Sequence, residues 1–390
     1  MRQLRAKVEG AYYHVTSRCA FQTFAFEAAS KDMFVRIMRR AEEFSGVRVA
    51  DYCVMDNHFH ILVKVPRRQP VDDAELDRRV TVLYGEVKAA AIARRWKDLA
   101  NAEGGDAVVR RERDLLRARM YDISGFMKTL KQRFSLWYTT HHGNLEGSIW
   151  QGRFHSTLVE NSACALSAVS AYIDRNPVRA GIVEDAKDYA WSGYGAACRG
   201  ETNARAGILS IFVEGAKTGC ATDQKWKKKT WALYREIVSP KRNEGALACN
   251  NGTGSPEVAV TKGQTLHEYR VGRLSRGLVF GSPQYVQGMI GRFRDAGTTR
   301  TLAVPCGKWR GGALCCAGRS EGKATGNRRD EREGVAWTAE PRTSLPYHAS
   351  ACIGKTNHDR QIDQTLTTNR HDMAGLTRRG ASGKMNRTIP

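Results

Sequence analysis

The sequence predicts an α+β domain, an antiparallel sheet with helices packed on one face in the split β-α-β order of ferredoxin-like folds. Three observations point there. Over residues 8–200, β-branched runs with period-two alternation take turns with amphipathic runs of period 3.6. Their order is βαββαβα, with one charged stretch inserted after the third strand. The chain's 390 residues leave room for that domain and further segments beside it.

Ala11 to Arg18 is the first strand, rich in β-branched and aromatic residues (Tyr12, Tyr13, Val15, Thr16). Ser30 stands as an N-cap before a helix whose Phe34, Ile37, Met38 and Ala41 recur at three and four. Val47–Met55 and His58–Val65 are apolar runs on either side of Asp56-Asn57, residues that tolerate positive φ and so close a hairpin. Residues 66–120 open on Pro66 and Pro70, continue as a charged helical stretch from Asp72 to Leu99 and break at Gly104-Gly105, which marks an insertion. The pattern resumes with a helix over Asp122–Tyr138, its stripe made by Ile123, Phe126, Met127, Leu130, Phe134 and Trp137. A strand is expected from Trp150 to Val159. A helix over Ser162–Arg175 follows, stopped by Asn176-Pro177 because the residue before proline is pushed out of the α region.

Residues 201–300 read as a small accessory domain, with a helix over Lys225–Val238 and a strand, turn and helix over Gly277–Phe293. Residues 301–390 show no sustained apolar period and are expected to be disordered.

Charge narrows the function. The chain has 62 Lys and Arg against 40 Asp and Glu, a formal net charge of +22, which points to a polyanionic partner. The last 90 residues hold 15 basic and 8 acidic residues, so +15 remains with residues 1–300. No run approaches the ~18 apolar residues of a membrane span, and Met1–Lys7 leads into Val8-Glu9-Gly10 instead of an apolar signal core. A cytoplasmic, nucleoid-associated protein with no membrane partner is expected. Ten cysteines without a Cys-x-x-Cys pair speak against a disulfide framework or a thiolate zinc site.

Two local patterns can carry chemistry. In His58-Phe59-His60, period-two alternation puts both imidazoles on one side of a strand and Phe59, Ile61 and Val63 on the other. Two such donors suit Mn, Mg or Zn, although the same pattern describes polar residues on a solvated face. In Tyr172-Ile-Asp-Arg-Asn176, a phenol and a carboxamide four residues apart lie one above the other on a helix. Beside a divalent ion, a phenol can attack phosphorus and Asn176 can offer the ion an oxygen; a tyrosine bordering a packed stripe is equally an ordinary core residue.

Three motifs occur in a fixed order: Val54-Met-Asp-Asn-His58-Phe-His60, Ile149-Trp-Gln-Gly-Arg-Phe154, and Tyr172-Ile-Asp-Arg-Asn-Pro-Val-Arg-Ala-Gly181. On these motifs the chain resembles the REP-associated tyrosine transposases, a branch of the single-tyrosine HUH transposases. The resemblance spans roughly residues 8–200. It implies a ferredoxin-like nuclease domain that cleaves and rejoins single-stranded DNA beside a hairpin repeat through a 5′-phosphotyrosine, with Mg or Mn as cofactor. It further implies Tyr172 as nucleophile and His58, His60 and Asn176 as metal ligands. Where many relatives carry a second aromatic or a His-Leu pair before Asn-Pro, this chain has Asp174-Arg175.

For gripping DNA, Trp150, Arg153, Phe154 and His155 interleave a cation with rings, and Lys128, Lys131 and Arg133 lie off the apolar stripe of their helix. Lys128, Lys131, Trp150 and Arg153 are accordingly the expected DNA contacts, against the alternative that each is core or solvated surface. A monomer and a homodimer are both open to such an enzyme. Its competitor is a non-catalytic, domesticated binder of structured single-stranded DNA or RNA; a zinc hydrolase ranks last, since no His-Glu-x-x-His helix is present.

Overall fold

β1 (Tyr12–Arg18), α1 (Ala28–Ser45), β2 (Arg48–Val54) and β3 (His58–Lys64) follow one another with short connections. They belong to a computed structural model that describes residues 7–20, 26–143, 147–213, 224–239, 277–295, 302–303 and 315–319. β2 and β3 form the expected hairpin, closed where the Met55 N–H donates to the His58 carbonyl at 2.8 Å. β1 lies antiparallel to β3, with Tyr12 opposite Lys64 and Arg18 opposite His58. β4 (His155–Val159) pairs antiparallel with the other edge of β1, so the spatial order β2-β3-β1-β4 is that of a ferredoxin-like sheet.

Helices cover both faces of this sheet, which corrects the expectation of one. Tyr13, Val15, Phe59, Ile61 and Val63 pack under α1 and α5 (Ile123–His142). Tyr12, Cys53 and Leu62 pack under α6 (Ala163–Asp174), through Leu166, Val169 and Ile173. The physical reason is that β1 and β3 bury side chains on both sides, apolar toward α1 and α5 and including Tyr12, His14, His60 and Leu62 toward α6, and a strand buried on both faces needs a cover on each.

Several boundaries also shift. Ser30 is not the cap of α1: the helix begins at Ala28, and Ser30 is a buried residue of its first turn. α1 ends at Gly46, whose φ of 70° suits glycine and whose missing Cβ leaves room for the Tyr121 ring. α5 starts as expected, capped by the Asp122 carboxylate, which accepts from the Gly125 N–H at 2.7 Å, but runs one turn farther, because Trp137 and Tyr138 stack on His141 and His142. Of the strand expected over Trp150–Val159, only β4 forms; Trp150 makes a single bridge to Cys19. Pro177 does not end helical structure either. It sits in the first turn of α7 (Asn176–Arg179), where a missing N–H costs nothing.

The insertion is helical as expected, although Gly85 (φ 83°) divides its first stretch into α2 (Asp73–Tyr84) and α3 (Glu86–Ala100), followed by α4 (Gly105–Arg117). These helices bury Leu76, Val80, Leu83, Ile92, Trp96 and Leu116 in a core of their own, joined to the sheet domain by Phe44 of α1.

After α7 come a 3₁₀ turn (Ala186–Asp188), α8 (Gly193–Cys198), α9 (Thr202–Val213) and α10 (Gln224–Val238). The expected accessory domain has no core of its own among the described residues. Ile208 and Tyr234 belong to the α6 face, and β5 (Val279–Gly281) joins the sheet parallel to β4. There the Leu158 N–H donates to the Leu278 carbonyl and the Glu160 N–H to the Phe280 carbonyl, each at 2.8 Å. The next helix, α11 (Pro283–Asp295), packs Val286 and Ile290 into the α1–α5 face. Two strands, β6 (Leu302–Ala303) and β7 (Cys315–Arg319), extend the sheet beyond β5; the rest of the expected disordered tail lies outside the described residues. Cys19, Cys53 and Cys198 are free thiols, whereas Cys164 is disulfide-bonded, a departure from the expectation of reduced cysteines. Among the described residues no helix is long and apolar enough to cross a membrane.

One polar cluster lies inside the α6 face. Asp51 of β2 accepts from Ser170 of α6, and the Tyr234 hydroxyl of α10 bonds Asp174 Oδ2 at 2.6 Å and Ser170 Oγ at 2.8 Å. The Tyr194 N–H donates to Asp174 Oδ1 at 3.1 Å. Room for Asp51 exists because residue 193 is glycine: a Cβ there would stand 2.1 Å from Asp51 Oδ1. Burial pushes the Asp51 carboxyl up to about 7 and raises Asp174 as well, so the pair retains a proton where free carboxyls have lost theirs.

A carboxyl raised by folding stabilises the fold below its unfolded pKa and loses that contribution as pH rises through its folded pKa. Asp51→Asn, which mimics the protonated form, is therefore expected to gain stability relative to wild type between about pH 4 and pH 7. Urea unfolding at a series of pH values measures this; a difference independent of pH would show that no proton is held there.

Candidate active site

Strand parity builds the site. His58 and His60 point from β3 toward α6, away from Phe59 and Ile61, as the alternation requires. β1 adds a third imidazole to the same face: His14 Nε2 lies 3.0 Å from His60 Nδ1, and the two rings stack nearly parallel with centroids 5.2 Å apart. α6 crosses above them. The Tyr172 ring stands edge-on to both, with centroids 5.5 Å from His60 and 5.8 Å from His14. Tyr172 is 8% exposed and His60 3%, so phenol and imidazole meet at the floor of the site, while His58 is only half-buried.

Hydrogen bonds set which ring nitrogens remain available. His58 Nδ1 lies 2.7 Å from Asn57 Oδ1, an acceptor only, so Nδ1 carries the proton and Nε2 keeps its lone pair. The His14 contact occupies His60 Nδ1 and leaves His60 Nε2 for another partner. Burial first, then the positive charge of Arg18, lowers the pKa of His58 to about 4. His60 is pushed well below the usual imidazole range by burial, then by His14, His58, Arg18 and Arg179. Both are thus neutral at pH 7, the form in which an imidazole binds a metal.

Asn176 follows α6 directly. Its amide nitrogen donates to the Tyr172 carbonyl at 2.8 Å and to that of Ile173 at 3.2 Å, which leaves Oδ1 as its ligating atom. No group of three or more His, Cys, Asp or Glu among the described residues is arranged to hold a metal ion. By donor type, the two neutral imidazoles suit a divalent ion that also takes oxygen ligands, water or a phosphate oxygen among them.

The expected DNA contacts are placed differently. Trp150 is a core residue, packed among Phe26, Phe59 and Phe134, with its indole N–H donating to Ser135 Oγ at 2.7 Å. Lys131 is tied inward: its ammonium donates to Ser17 Oγ at 2.9 Å and the Gly152 carbonyl at 2.7 Å, and lies 4.9 Å from the centre of the Trp150 ring. Phe154 is buried, Lys128 is half-buried on α5, and Arg153 alone of the expected four is fully at the surface. A strand-end tryptophan beside aromatic neighbours buries more area as core than it could offer to a base.

The structure thus sets the rings of His58, His60 and Tyr172 beside one another, ties the Asn176 amide to the backbone of Tyr172 and Ile173, and adds three residues the motifs did not single out. His14 could have been found from parity, since it stands two places before Thr16, the partner of His60. Arg18 faces His58 across the strand pair, and the Arg179 guanidinium lies 5.5 Å from the centre of the Tyr172 ring.

Residues 7–74 match the family of IS200-like transposases, a segment that contains β1, α1, β2 and β3 and hence His14, His58 and His60. Among solved structures, the chain is similar to one described as a REP-associated tyrosine transposase bound to a REP hairpin, at 16% identity and a TM-score of 0.32, over 50% of this chain and 84% of that one. No curated protein matches.

Because Trp150 is core, Trp150→Ala is expected to lower stability by about 3–5 kcal/mol, read by urea unfolding. A variant with wild-type stability and weakened DNA binding would return Trp150 to the DNA surface.

Proposed function

We propose that the chain is a metal-dependent DNA strand transferase that cleaves and rejoins single-stranded DNA beside a hairpin repeat, with Tyr172 as nucleophile. The observation that carries this reading is the Tyr172 ring set edge-on against His60 and His14 on a face where His58 is also neutral. The match of residues 7–74 to IS200-like transposases and the net charge of +22 support it.

His58 Nε2, His60 Nε2 and Asn176 Oδ1 would hold a divalent ion, Mg or Mn, which when bound draws charge from a phosphoryl oxygen. His14 fixes the His60 ring, and Asn57 fixes the His58 tautomer. The Tyr172 Oη–phosphorus bond forms as the phosphorus–O3′ bond breaks. The phenolic proton leaves to water and the departing 3′-oxygen takes one up, so a 5′-phosphotyrosine and a free 3′-hydroxyl result. Attack by a 3′-hydroxyl on the phosphotyrosine reverses the step, and the phosphoester bond energy is kept throughout.

The competing reading, a non-catalytic binder of single strands through an open sheet, finds less support. Such sheets stack bases on exposed aromatics, whereas both faces of β1 and β3 are covered here.

Tyr172→Phe removes one oxygen and keeps the packed ring, at an expected cost of about 0.5–1.5 kcal/mol in stability. On incubation with labelled hairpins from the gene's flanks and Mn or Mg, wild type should form a covalent protein–DNA adduct and the variant none, with hairpin affinity within a few fold. An adduct mapped by mass spectrometry to Tyr12, Tyr13 or Tyr138 would overturn the assignment. His58→Ala and His60→Ala should likewise abolish cleavage while binding survives, because phosphate contacts elsewhere dominate affinity; full cleavage by either in a metal titration removes the pair from the reaction.

A further inference from the structure

We infer that Arg18 and Arg179 form a guanidinium clamp on the phosphodiester attacked by Tyr172. The inference rests on the reading of Tyr172 as nucleophile and adds the residues that receive its substrate.

The two arginines reach the site from different elements. Arg18 is the last residue of β1, directly opposite His58 in the β1–β3 register and on the same side of the sheet as Thr16 and His14. Arg179 is the last residue of α7, and its guanidinium lies 5.5 Å from the centre of the Tyr172 ring. Both are exposed.

Neither has a carboxylate partner among the described residues. Arg39, Arg78, Arg79, Arg95, Arg113 and Arg117 each form an ion pair with Asp or Glu. The nearest acid to His58, Asp56, is taken by Lys31. Among the described residues the site therefore gathers two cations, the neutral His58 and His60 and a phenol, with its nearby Asp56 already paired. A phosphodiester supplies one negative charge and two non-bridging oxygens, which matches two guanidinium forks. As the Tyr172 Oη–phosphorus bond forms, charge builds on those oxygens, and the clamp stabilises it. Arg179 also holds its charge beside the phenol, where it favours the developing phenolate.

The test uses the full chain with Arg18→Gln, Arg179→Gln, the double variant, and Arg179→Lys. Single-turnover adduct formation is followed at saturating hairpin, alongside hairpin Kd across a salt series and thermal melting. The expected result is a fall of about 10²- to 10³-fold in adduct rate for each Gln variant, partial recovery with Arg179→Lys, and a Kd change under about fivefold. If wild type forms the adduct and both Gln variants match its rate within threefold, the clamp is wrong and the nucleophile stands. Loss confined to Kd, with full rate at saturation, also overturns it, as general phosphate contacts would behave that way. If wild type forms no adduct, the reading of Tyr172 fails first. A Gln variant that melts early is replaced by Arg18→Lys or Arg179→Lys, for which wild-type rate with bidentate contact removed counts against the clamp.

Discussion

Two carboxyl groups without access to water hold the helix that carries Tyr172. Asp174 lies two residues after Tyr172, and its partners come from β2, α8 and α10, that is Asp51, the Tyr194 amide and Tyr234, while Ser170 of α6 joins Asp51 to Tyr234. An isolated buried carboxylate would be prohibitively costly, so the group keeps a proton and distributes it among oxygens that are each hydrogen-bonded. The geometry of each member is then fixed by the others. α6 can neither slide nor rotate on the sheet without leaving one of these groups unpaired, and the angle at which Tyr172 meets His60 follows from that restraint.

The same restraint accounts for the division of labour between the sheet faces. Toward α1 and α5, β1 and β3 present apolar side chains apart from Ser17, and aromatic rings such as Phe34, Phe59 and Phe134 fill the space. Toward α6 they present His14, His58 and His60 at one end and Tyr12 and Leu62 at the other. Reactive groups are thus confined to the rim of a packed layer. There, burial keeps His58 and His60 neutral while Arg18 and Arg179 stay in contact with water.

Strand and helix order was legible because period and turn chemistry are local. Asp56-Asn57 closes the hairpin where the sequence suggests, and the helices expected from Asp122 and Ser162 start there, where the structure shows both side chains capping them. The pairing of His58 with His60 follows from alternation, and Tyr172 with Asn176 from helical spacing. What local pattern could not carry was the partner of each face. Leu166 and Ile173 announce a buried stripe but not that it lies on the second side of the sheet. Trp150 and Lys131 look like a ring and a cation offered to DNA, yet Ser17, Ser135 and Gly152 satisfy them internally, and those residues meet only through the fold. His14 escaped notice for the same reason, since its relation to His60 exists only once β1 and β3 are in register.

The parallel pairing of β4 with β5 has a consequence for how the chain is made. β4 ends at Val159 and its outer edge is covered by Val279 and Phe280, so roughly 120 residues separate the two in synthesis. At ~5–20 residues per second, a ribosome takes on the order of ten seconds to deliver the missing strand after β4 appears. During that interval the ferredoxin-like half can pair its first four strands but exposes unbonded amides at Leu158 and Glu160, a template for any other extended chain nearby. Nascent-chain crowding is therefore most hazardous in the window between α6 and β5, and chaperone protection of the growing polypeptide matters most there.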